Sequence, residues 1–349
     1  MDVHAHVIVP EILGDAQRAE DWRPRVRRAD GAQVVELHGR RIFSAPHEFV
    51  DAETILAVQI RAGIDHVLLC PWVALLYPDA EPVACLERCR IQNDALERMV
   101  ASHPDRISAL GAVPLQDPEL AASELSELRE QGVLAGVEIA ASVGGAYPGD
   151  PRFERFWQVA EDTAAVVLVH PTTRGFGPDA FSEYYLWNTV GNPLETTIAA
   201  AHMTMAGVME RHPRLRVVLA HGGGALLALR GRLRHAHGFQ PEASSRLTGS
   251  PLASIRRFYF DTVTHDGELL RSLIEWAGPT RVLLGSDYPF DMADPDPVGT
   301  VRSLALADAD EAAVLGGNAA RLLDLARPAG PGEPDVVRDP PTRGVTADA

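Results

Sequence analysis

Two histidines near the start of the chain, His4 and His6, are separated by one residue in the sequence Asp-Val-His-Ala-His-Val. On a β-strand, side chains two residues apart project from the same face, so both imidazoles can turn toward one point. Imidazole is a common ligand for zinc and related cations. The pair alone is equally compatible with two ordinary histidines on a surface strand, and the rest of the chain has to decide between these interpretations.

Three later polar residues end apolar runs. His170 follows Val-Val-Leu-Val, His221 follows Val-Val-Leu-Ala, and Asp287 follows Val-Leu-Leu-Gly-Ser. Short apolar runs bounded by glycine or proline are typical of buried parallel strands. Polar residues at the ends of such strands gather at the carboxyl rim of a parallel sheet, where barrel enzymes hold their catalytic groups. We therefore expect these three side chains to meet the pair formed by His4 and His6.

Alternation of strand-like and helix-like segments predicts the elements that position these residues. Eight runs have the character of strands: Val3–His6, Val67–Cys70, Ser108–Val113, Gly136–Ala140, Val166–His170, Val217–His221, Phe258–Val263 and Val282–Ser286. Helical stretches lie between them, among them Glu81–Ala101, Pro118–Gln131, Asp150–Thr163, Pro193–Arg211 and Gly267–Trp276. Strands that alternate with helices at this spacing imply a parallel sheet, and eight such units predict an α/β fold of the TIM (β/α)8 barrel type.

Two long connections and a tail depart from this repeat. Residues 10–50 are too many for an ordinary loop after the first strand, and a small hairpin ending in Arg40–Phe43 is expected there, over the barrel mouth. Residues 174–192 form a second long rim loop, whose aromatic side chains either wall a pocket or bury a subunit contact. The barrel is expected to span residues 1–326. Residues 327–349, rich in proline, glycine and aspartate, should form an irregular tail.

The bulk composition limits the partners. The formal net charge is −16 and the pI is about 5.2, so we expect no nucleic-acid partner, since phosphate binding needs basic surface. No apolar run approaches the roughly 18 residues of a membrane helix, and no signal peptide is visible. Three cysteines, Cys70, Cys85 and Cys89, indicate reduced thiols in a cytoplasmic protein. Cys85 and Cys89 lack the further partners that a metal site would need.

The rim residues together allow metal chemistry. His4, His6, His170 and Asp287 offer three nitrogens and one carboxylate, a set that suits one divalent cation, zinc in the first place and Mn²⁺ as the alternative. A cation in such a site can activate water or polarise a substrate oxygen. His221 is either another ligand or an acid–base group beside the metal, because histidine transfers protons near neutral pH.

The three glycines after His221 could also indicate an esterase oxyanion loop. That interpretation requires a nucleophile elbow of the form G-x-S-x-G, and the sequence contains none. A tight turn from strand to helix explains the glycines equally well, because glycine adopts backbone conformations that other residues avoid. We reject the esterase interpretation.

In their order along the chain, these motifs resemble the amidohydrolase-related family (amidohydrolase 2), in particular the branch that contains 2-amino-3-carboxymuconate-6-semialdehyde decarboxylase. The resemblance extends from the first strand to about Leu325. The segments that carry it are Asp2–His6, Val113–Asp117, Leu168–Pro171, His221–Gly224, Gly285–Phe290 and Gly316–Ala319.

The resemblance implies a metal-dependent barrel that performs nonoxidative decarboxylation, with hydrolases and hydratases among its relatives. It assigns metal binding to His4, His6, His170 and Asp287, and an acid–base role to His221. In a decarboxylase, either His221 or Asp287 would move a proton to the carbon that loses carbon dioxide. It implies a homodimer in which Arg232 reaches the substrate carboxylate in the neighbouring subunit. A second family arginine falls near the hairpin, where Phe43 stands in this chain directly after Arg40 and Arg41.

Four residues are therefore candidates for substrate binding. They are Arg232, Arg41, His265 and Trp187. His265 departs from the decarboxylases of this branch, in which the related position is usually apolar. Such departures leave the substrate open, beyond a small carboxylate.

Three functional hypotheses remain at this point. The first is a decarboxylase of a small aromatic or muconate-type carboxylic acid. The second is a metal-dependent hydrolase of an amide or lactone, in which metal hydroxide is the nucleophile. The third is a metal-binding barrel without catalytic activity. The first two use the same ligands, so residue types do not separate them.

Overall fold

The computed structural model describes residues 1–14, 21–29, 32–37, 40–42, 50–172 and 178–325 of the chain. The strands in this part are β1 (Asp2–Val7), β2 (Arg25–Ala29), β3 (Ala32–Leu37), β4 (Arg40–Ile42), β5 (Val67–Pro71), β6 (Ile107–Ala112), β7 (Gly136–Ala140), β8 (Val166–His170), β9 (Arg216–Leu219), β10 (Tyr259–Asp261) and β11 (Val282–Leu283). The α-helices are α1 (Ala52–Arg61), α2 (Pro82–Ser102), α3 (Pro118–Gln131), α4 (Glu154–Asp162), α5 (Asn192–Met205), α6 (Val208–Arg211), α7 (Leu226–His237), α8 (Pro251–Ile255), α9 (Gly267–Ala277), α10 (Pro297–Ser303), α11 (Asp308–Ala312) and α12 (Asn318–Leu322).

Eight of these strands form one parallel sheet in the order β1-β5-β6-β7-β8-β9-β10-β11. The sheet closes where the chain after β11 returns to β1. Ala5 and Tyr288 form a parallel bridge there, and the Val3 amide donates to the Leu284 carbonyl at 2.9 Å. The prediction of a (β/α)8 barrel is confirmed.

Apolar side chains divide between the two faces of the strands. Val67, Leu69, Val137, Ile139 and their counterparts on other strands pack outward against the helices. The alternate residues of the strands fill the barrel interior and include Val3, Leu68, Leu110, Val166, Leu168, Val218 and Leu283. Helix α12 covers the amino-terminal end of this interior. Both faces of a parallel barrel strand are buried, which explains the continuous apolar runs in the sequence.

Three helices begin directly after an aspartate that caps their amino-terminal end. Asp51, Asp117 and Asp266 each accept a hydrogen bond from the backbone amide three residues later. Such caps satisfy amide groups that have no partner inside the helix. Their positions fix where α1, α3 and α9 start behind the barrel strands.

The structure differs from the sequence-based prediction in one divided helix and in the ends of several strands. The strands predicted over Val217–His221 and Phe258–Val263 are observed as Arg216–Leu219 and Tyr259–Asp261. The helix expected over Pro193–Arg211 is divided into α5 and α6, because Gly207 has a φ of 72°. A Cβ atom at Gly207 would also lie 2.7 Å from the carbonyl oxygen of Arg246, so glycine is required there. The last barrel strand ends at Leu283 rather than Ser286, and the following residues form the loop that carries Asp287.

The long connection after β1 contains a small antiparallel sheet, in which β3 pairs with both β2 and β4. Residues 38 and 43 of the expected hairpin lie outside the described residues, as do residues 327–349 of the expected tail. A hairpin over the barrel mouth and the domain limit at residue 326 therefore stay predictions. None of the described helices combines the length and the apolar character needed to cross a membrane.

Gly136 provides a test of the close packing between β7 and β8. Its φ is 156°, and a Cβ atom would lie 1.9 Å from the Val166 carbonyl oxygen. We expect Gly136→Ala to lower the free energy of unfolding by about 1–3 kcal/mol, the usual cost of overpacking. Gly231→Ala on α7 is the control, because open space surrounds Gly231 and alanine favours helix. Equal denaturation midpoints for the two variants would contradict this packing.

Candidate metal centre

Three donor atoms form a tight triangle at the carboxyl end of the barrel. The Nε2 atoms of His4 and His6 are 3.1 Å apart, and Oδ1 of Asp287 lies 3.3 Å from each of them. All three residues are buried. Ligand atoms bound to one cation at about 2.0–2.2 Å are about 3.0–3.5 Å from each other at ordinary bond angles. The spacing of these atoms therefore fits one divalent cation.

The Nδ1 proton of each imidazole has a fixed acceptor, which leaves Nε2 with its lone pair. Nδ1 of His4 is 2.6 Å from Oδ2 of Asp261, and Nδ1 of His6 is 3.1 Å from the Pro71 carbonyl oxygen. Nδ1 of His170 lies 2.9 Å from the Pro171 carbonyl oxygen. A carbonyl or carboxylate oxygen accepts from the N–H tautomer, so in the neutral imidazoles these contacts place the proton on Nδ1 and the metal-binding lone pair on Nε2.

The rings of His170 and His221 lie next to this triangle of donor atoms, with centroids 5.1 and 5.5 Å from that of His4. His4, His170, His221 and Asp287 offer ligand atoms that all lie within 4.8 Å of one another. Nε2 of His170 and Oδ1 of Asp287 are buried and have no hydrogen-bond partner among the described residues. Buried polar atoms without partners are rare in native proteins, and a bound cation would satisfy both of these. The fit of the residues to a metal rests on this observation.

Backbone pairing between β1 and the loop after β11 places Asp287 beside the two histidines. The Asp287 amide donates to the His4 carbonyl at 2.7 Å, and the His6 amide donates to the Tyr288 carbonyl at 2.7 Å. Asp2 reinforces the junction, because Oδ2 accepts from the Ser286 hydroxyl at 2.5 Å and Oδ1 accepts from the Ser286 amide at 3.0 Å. The first and last strands of the barrel are thus joined at the site.

Asp261, which the sequence-based analysis did not select, orients His4. Besides the contact with His4, its carboxylate accepts from the amides of His221 and Gly222 at 2.9 and 2.7 Å. One buried carboxylate therefore fixes both the ring of one candidate ligand and the backbone that carries His221. Asp261 ends β10 as His170 ends β8, but the sequence-based prediction placed Asp261 inside a longer strand, Phe258–Val263.

The charges of the site shift the proton affinities of its members. Burial lowers the pKa of His170 well below its usual value, and the neighbouring histidines act in the same direction. Burial works against ionised Asp287, yet the charges and hydrogen bonds of His4, His221 and His6 hold its pKa well below the ordinary value. Burial also disfavours protonated His221, but Asp287, whose Oδ2 lies 3.4 Å from its Nε2, raises the pKa of His221. Burial likewise disfavours protonated His6, but Asp287 and Glu138 raise the pKa of His6 to about 8. Asp287 therefore remains an anion, and it raises the pKa of both His221 and His6.

Both His221 and Asp287 have left-handed backbone conformations, with φ values of 57° and 60°. Non-glycine residues adopt this conformation at a cost, and it persists where the surrounding structure imposes it. The two residues lie beyond the ends of β9 and β11 rather than in the strands. The left-handed turns place their side chains at the mouth of the barrel, next to the histidines of β1.

An aromatic wall adjoins the centre. The ring of Phe290 lies 5.1 Å from that of His6 and 6.4 Å from that of Trp72, measured between centroids. Apolar side chains beside a few polar groups are typical of sites for small molecules. Trp72 and Phe290 were not selected from the sequence.

The four residues expected to bind substrate occupy different places. Arg232 is exposed on α7, and His265 is exposed in the loop after β10. Trp187 begins a π-helical turn over Trp187–Gly191 and contacts the ring of Tyr185 at 5.0 Å. The Tyr185 hydroxyl donates to Asp291 at 2.9 Å, which links this turn to the loop that carries Asp287. Arg41 pairs with Glu36 through the backbone, and its side chain lies outside the described residues.

Fold and site define this chain as a parallel (β/α)8 barrel with a cluster of buried histidine and carboxylate side chains, spaced like metal ligands, at its carboxyl rim. Residues 74–325, well over half of the chain, match the model of the Amidohydro_2 family, described as amidohydrolase. The chain belongs to this amidohydrolase family.

Individual relatives agree with this assignment. The chain is 32% identical over 248 residues to the 2-amino-3-carboxymuconate-6-semialdehyde decarboxylase of Dictyostelium discoideum, covering 70% of this chain and 69% of that protein. It is 27% identical over 289 residues to the gamma-resorcylate decarboxylase of Rhodococcus jostii, covering 77% and 88%. The crystal structure of 5-carboxyvanillate decarboxylase from Sphingomonas paucimobilis is 29% identical, with a TM-score of 0.73 over 79% of this chain and 84% of that chain.

Substitution of Asp261 tests whether it positions a ligand. Asp261→Asn removes the anionic acceptor of the His4 Nδ1 proton, so we expect the affinity for Zn²⁺ or Mn²⁺ to fall by about 10- to 100-fold. Competition with a chelator measures this affinity. Asp266→Asn is the control, because Asp266 caps α9 and has no hydrogen bond to the histidines. Unchanged affinity in Asp261→Asn would contradict the role given to Asp261.

Proposed function

We propose that this chain is a metal-dependent, nonoxidative decarboxylase of a small aromatic or muconate-type carboxylic acid. The observation that carries the proposal is the convergence of the lone pairs of His4, His6 and His170 with the carboxylate of Asp287 beside an aromatic wall. The relatives named above are decarboxylases of such acids. They do not favour the hydrolase alternative.

The metal ligands in this proposal are His4, His6, His170 and Asp287. When bound, one divalent cation supplies a positive centre that attracts a substrate oxygen and stabilises negative charge. Three nitrogens and one carboxylate suit zinc, with Mn²⁺ as the alternative. Trp72 and Phe290 contact the ring or conjugated chain of the substrate and keep water from it.

Nonoxidative decarboxylation breaks the bond between the carboxylate and a carbon atom, releases carbon dioxide and leaves an electron pair on that carbon. A proton must then reach the carbon. His221 supplies this proton, and Asp287 holds His221 in position through its Oδ2 atom at 3.4 Å. Asp287 thereby serves both the metal and the proton transfer. Each turnover converts the substrate carboxylate and one proton into carbon dioxide and a new C–H bond, and solvent water returns the proton to His221.

Substitution of a proposed metal ligand should abolish metal binding and catalytic turnover together. We expect His170→Ala and Asp287→Ala to lose both the divalent cation and the release of carbon dioxide from a panel of aromatic and muconate-type carboxylates. Elemental analysis of the purified variants, compared with wild type, gives the metal content. Full occupancy in both variants would show that these residues are not the ligands.

Substitution of His221 should lower the turnover rate without releasing the metal. We expect His221→Asn to keep most of the metal and to lose at least ~100-fold in turnover rate, the usual scale for lost acid–base catalysis. Elemental analysis and steady-state kinetics on the same preparation measure the two quantities. Normal turnover would assign the proton transfer to another group, and loss of metal would make His221 a ligand.

The active form is proposed to be a homodimer in which Arg232 serves the partner's pocket. Arg232 is exposed on α7, and Leu229, one turn earlier on the same helix, is 38% exposed. Phe239, just after this helix, is 58% exposed. Large apolar side chains around an arginine are typical of protein interfaces. A guanidinium group grips a carboxylate with two hydrogen bonds, which suits the substrate class.

A mixture of two inactive variants tests this arrangement. In a mixed dimer of His221→Asn and Arg232→Ala chains, one pocket carries neither substitution if Arg232 acts in the partner's pocket. We therefore expect activity to return on mixing. Exchange of subunits is confirmed separately with differently tagged chains. No recovery after confirmed exchange would mean that Arg232 serves its own pocket or none.

A cytoplasmic location is proposed on the three cysteines alone. Cys70, Cys85 and Cys89 are all free and buried. Free thiols are usual in proteins of a reducing compartment.

A further inference from the structure

A second carboxylate, that of Glu138, lies inside the barrel near the proposed metal centre. Val137 and Ile139 on either side of Glu138 pack outward against the helices. Since side chains alternate along a strand, Glu138 points into the barrel interior. Its side chain is fully buried, in a strand whose other members are apolar or small.

Both carboxylate oxygens of Glu138 are buried without a hydrogen-bond partner in the part of the chain that the structure describes. A charged carboxylate in such a place costs several kcal/mol unless a proton, a donor or a cation compensates it. Nearby buried carboxylates are satisfied differently. Asp2 and Asp261 each accept hydrogen bonds from backbone amides, and Glu195 accepts from Ser142 and Thr172.

The groups that face Glu138 do not supply the missing donor. Oε1 of Glu138 lies 4.0 Å from Nδ1 of His6, which is beyond hydrogen-bond distance. The Nδ1 proton of His6 is directed to the Pro71 carbonyl, and that of His170 to the Pro171 carbonyl. Each ring therefore presents a lone pair at Nε2 rather than a donor.

His6, Glu138 and His170 nevertheless form a group whose ligand atoms all lie within 4.8 Å of one another. This group shares His170 with the separate group of His4, His170, His221 and Asp287. His6 links the two, because its Nε2 lies 3.1 Å from Nε2 of His4 and 3.3 Å from Oδ1 of Asp287. Two imidazoles and an unpartnered carboxylate at such distances are a donor set for a divalent cation.

From this juxtaposition we infer that Glu138 is a further anionic ligand of the cation held by His4, His6, His170 and Asp287. The inference rests on the proposed metal centre and extends it to three imidazoles and two carboxylates. Carboxylates suit hard cations better than imidazole does, so Glu138 raises the affinity for Mn²⁺ relative to the affinity for Zn²⁺. In this arrangement the histidines position the ion, and Glu138 favours Mn²⁺ over Zn²⁺.

The test compares the dissociation constants of Mn²⁺ and Zn²⁺ for full-length wild type and Glu138→Gln, measured by chelator competition on metal-free protein. Glutamine keeps the shape of the side chain and removes the charge. We expect the Mn²⁺ dissociation constant to rise by about 10-fold or more, as for other changes at metal sites, and the Zn²⁺ constant to rise less. Electron paramagnetic resonance of bound Mn²⁺ should change as well.

Two further variants sharpen the result. Glu124→Gln is the matched control, because Glu124 is a buried glutamate that pairs with Arg90 outside the barrel interior. It should leave both dissociation constants unchanged. Glu138→Asp keeps the charge and should retain more of the Mn²⁺ affinity than Glu138→Gln does. This comparison also serves if the glutamine variant does not fold.

The possible outcomes separate a failure of the proposed metal centre from a failure of the role given to Glu138. If wild type binds neither cation, the proposed centre is wrong. If wild type binds both and Glu138→Gln leaves the constants and the Mn²⁺ spectrum unchanged, only the inference about Glu138 is overturned. A loss of the same size for both cations, in both Glu138 variants, would also overturn it, because it would indicate a purely structural role.

Discussion

Three imidazoles and a carboxylate are packed together in a space from which water is largely excluded, and this is the constraint on which the site depends. His4, His6 and His170 have each directed the Nδ1 proton to a fixed oxygen. Their Nε2 lone pairs and the Asp287 anion would repel one another without a positive charge between them. In the proposed metal centre, a divalent cation supplies that charge and turns the mutual repulsion into attraction. The rings of Phe290 and Trp72 lie beside this cluster, as the proposed flat or conjugated substrate requires.

Closure of the barrel produces this arrangement. The histidines come from the first strand, and Asp287 comes from the loop after the last strand, nearly the whole length of the chain away. Backbone pairing between β1 and this loop brings them together, and Asp2 fastens the two through Ser286. Since the site spans the junction of the first and last strands, folding of the barrel and assembly of the ligands are one event. The backbone pairing that closes the barrel thus also holds the candidate site together.

Much of the fold could be predicted because parallel barrel strands are apolar on both faces, and runs such as Val166–His170 are recognisable for that reason. His170 at a strand end could be located in the same way. The left-handed turns at His221 and Asp287 could not, since they are imposed by tertiary contacts rather than by residue type. Asp261 was missed because a single aspartate at the end of a strand indicates neither its partner nor its role.

Anomalous X-ray scattering from a crystal grown with Mn²⁺ tests the central claim most directly, because it locates the ion without reference to activity. We expect one strong peak per chain, within about 2.0–2.3 Å of Nε2 of His4, His6 and His170 and of Oδ1 of Asp287. The data should be collected at neutral pH, with a second crystal of Asp287→Ala as the control without a peak. A wild-type crystal with no peak at these atoms, or with its only peak elsewhere, would contradict the account.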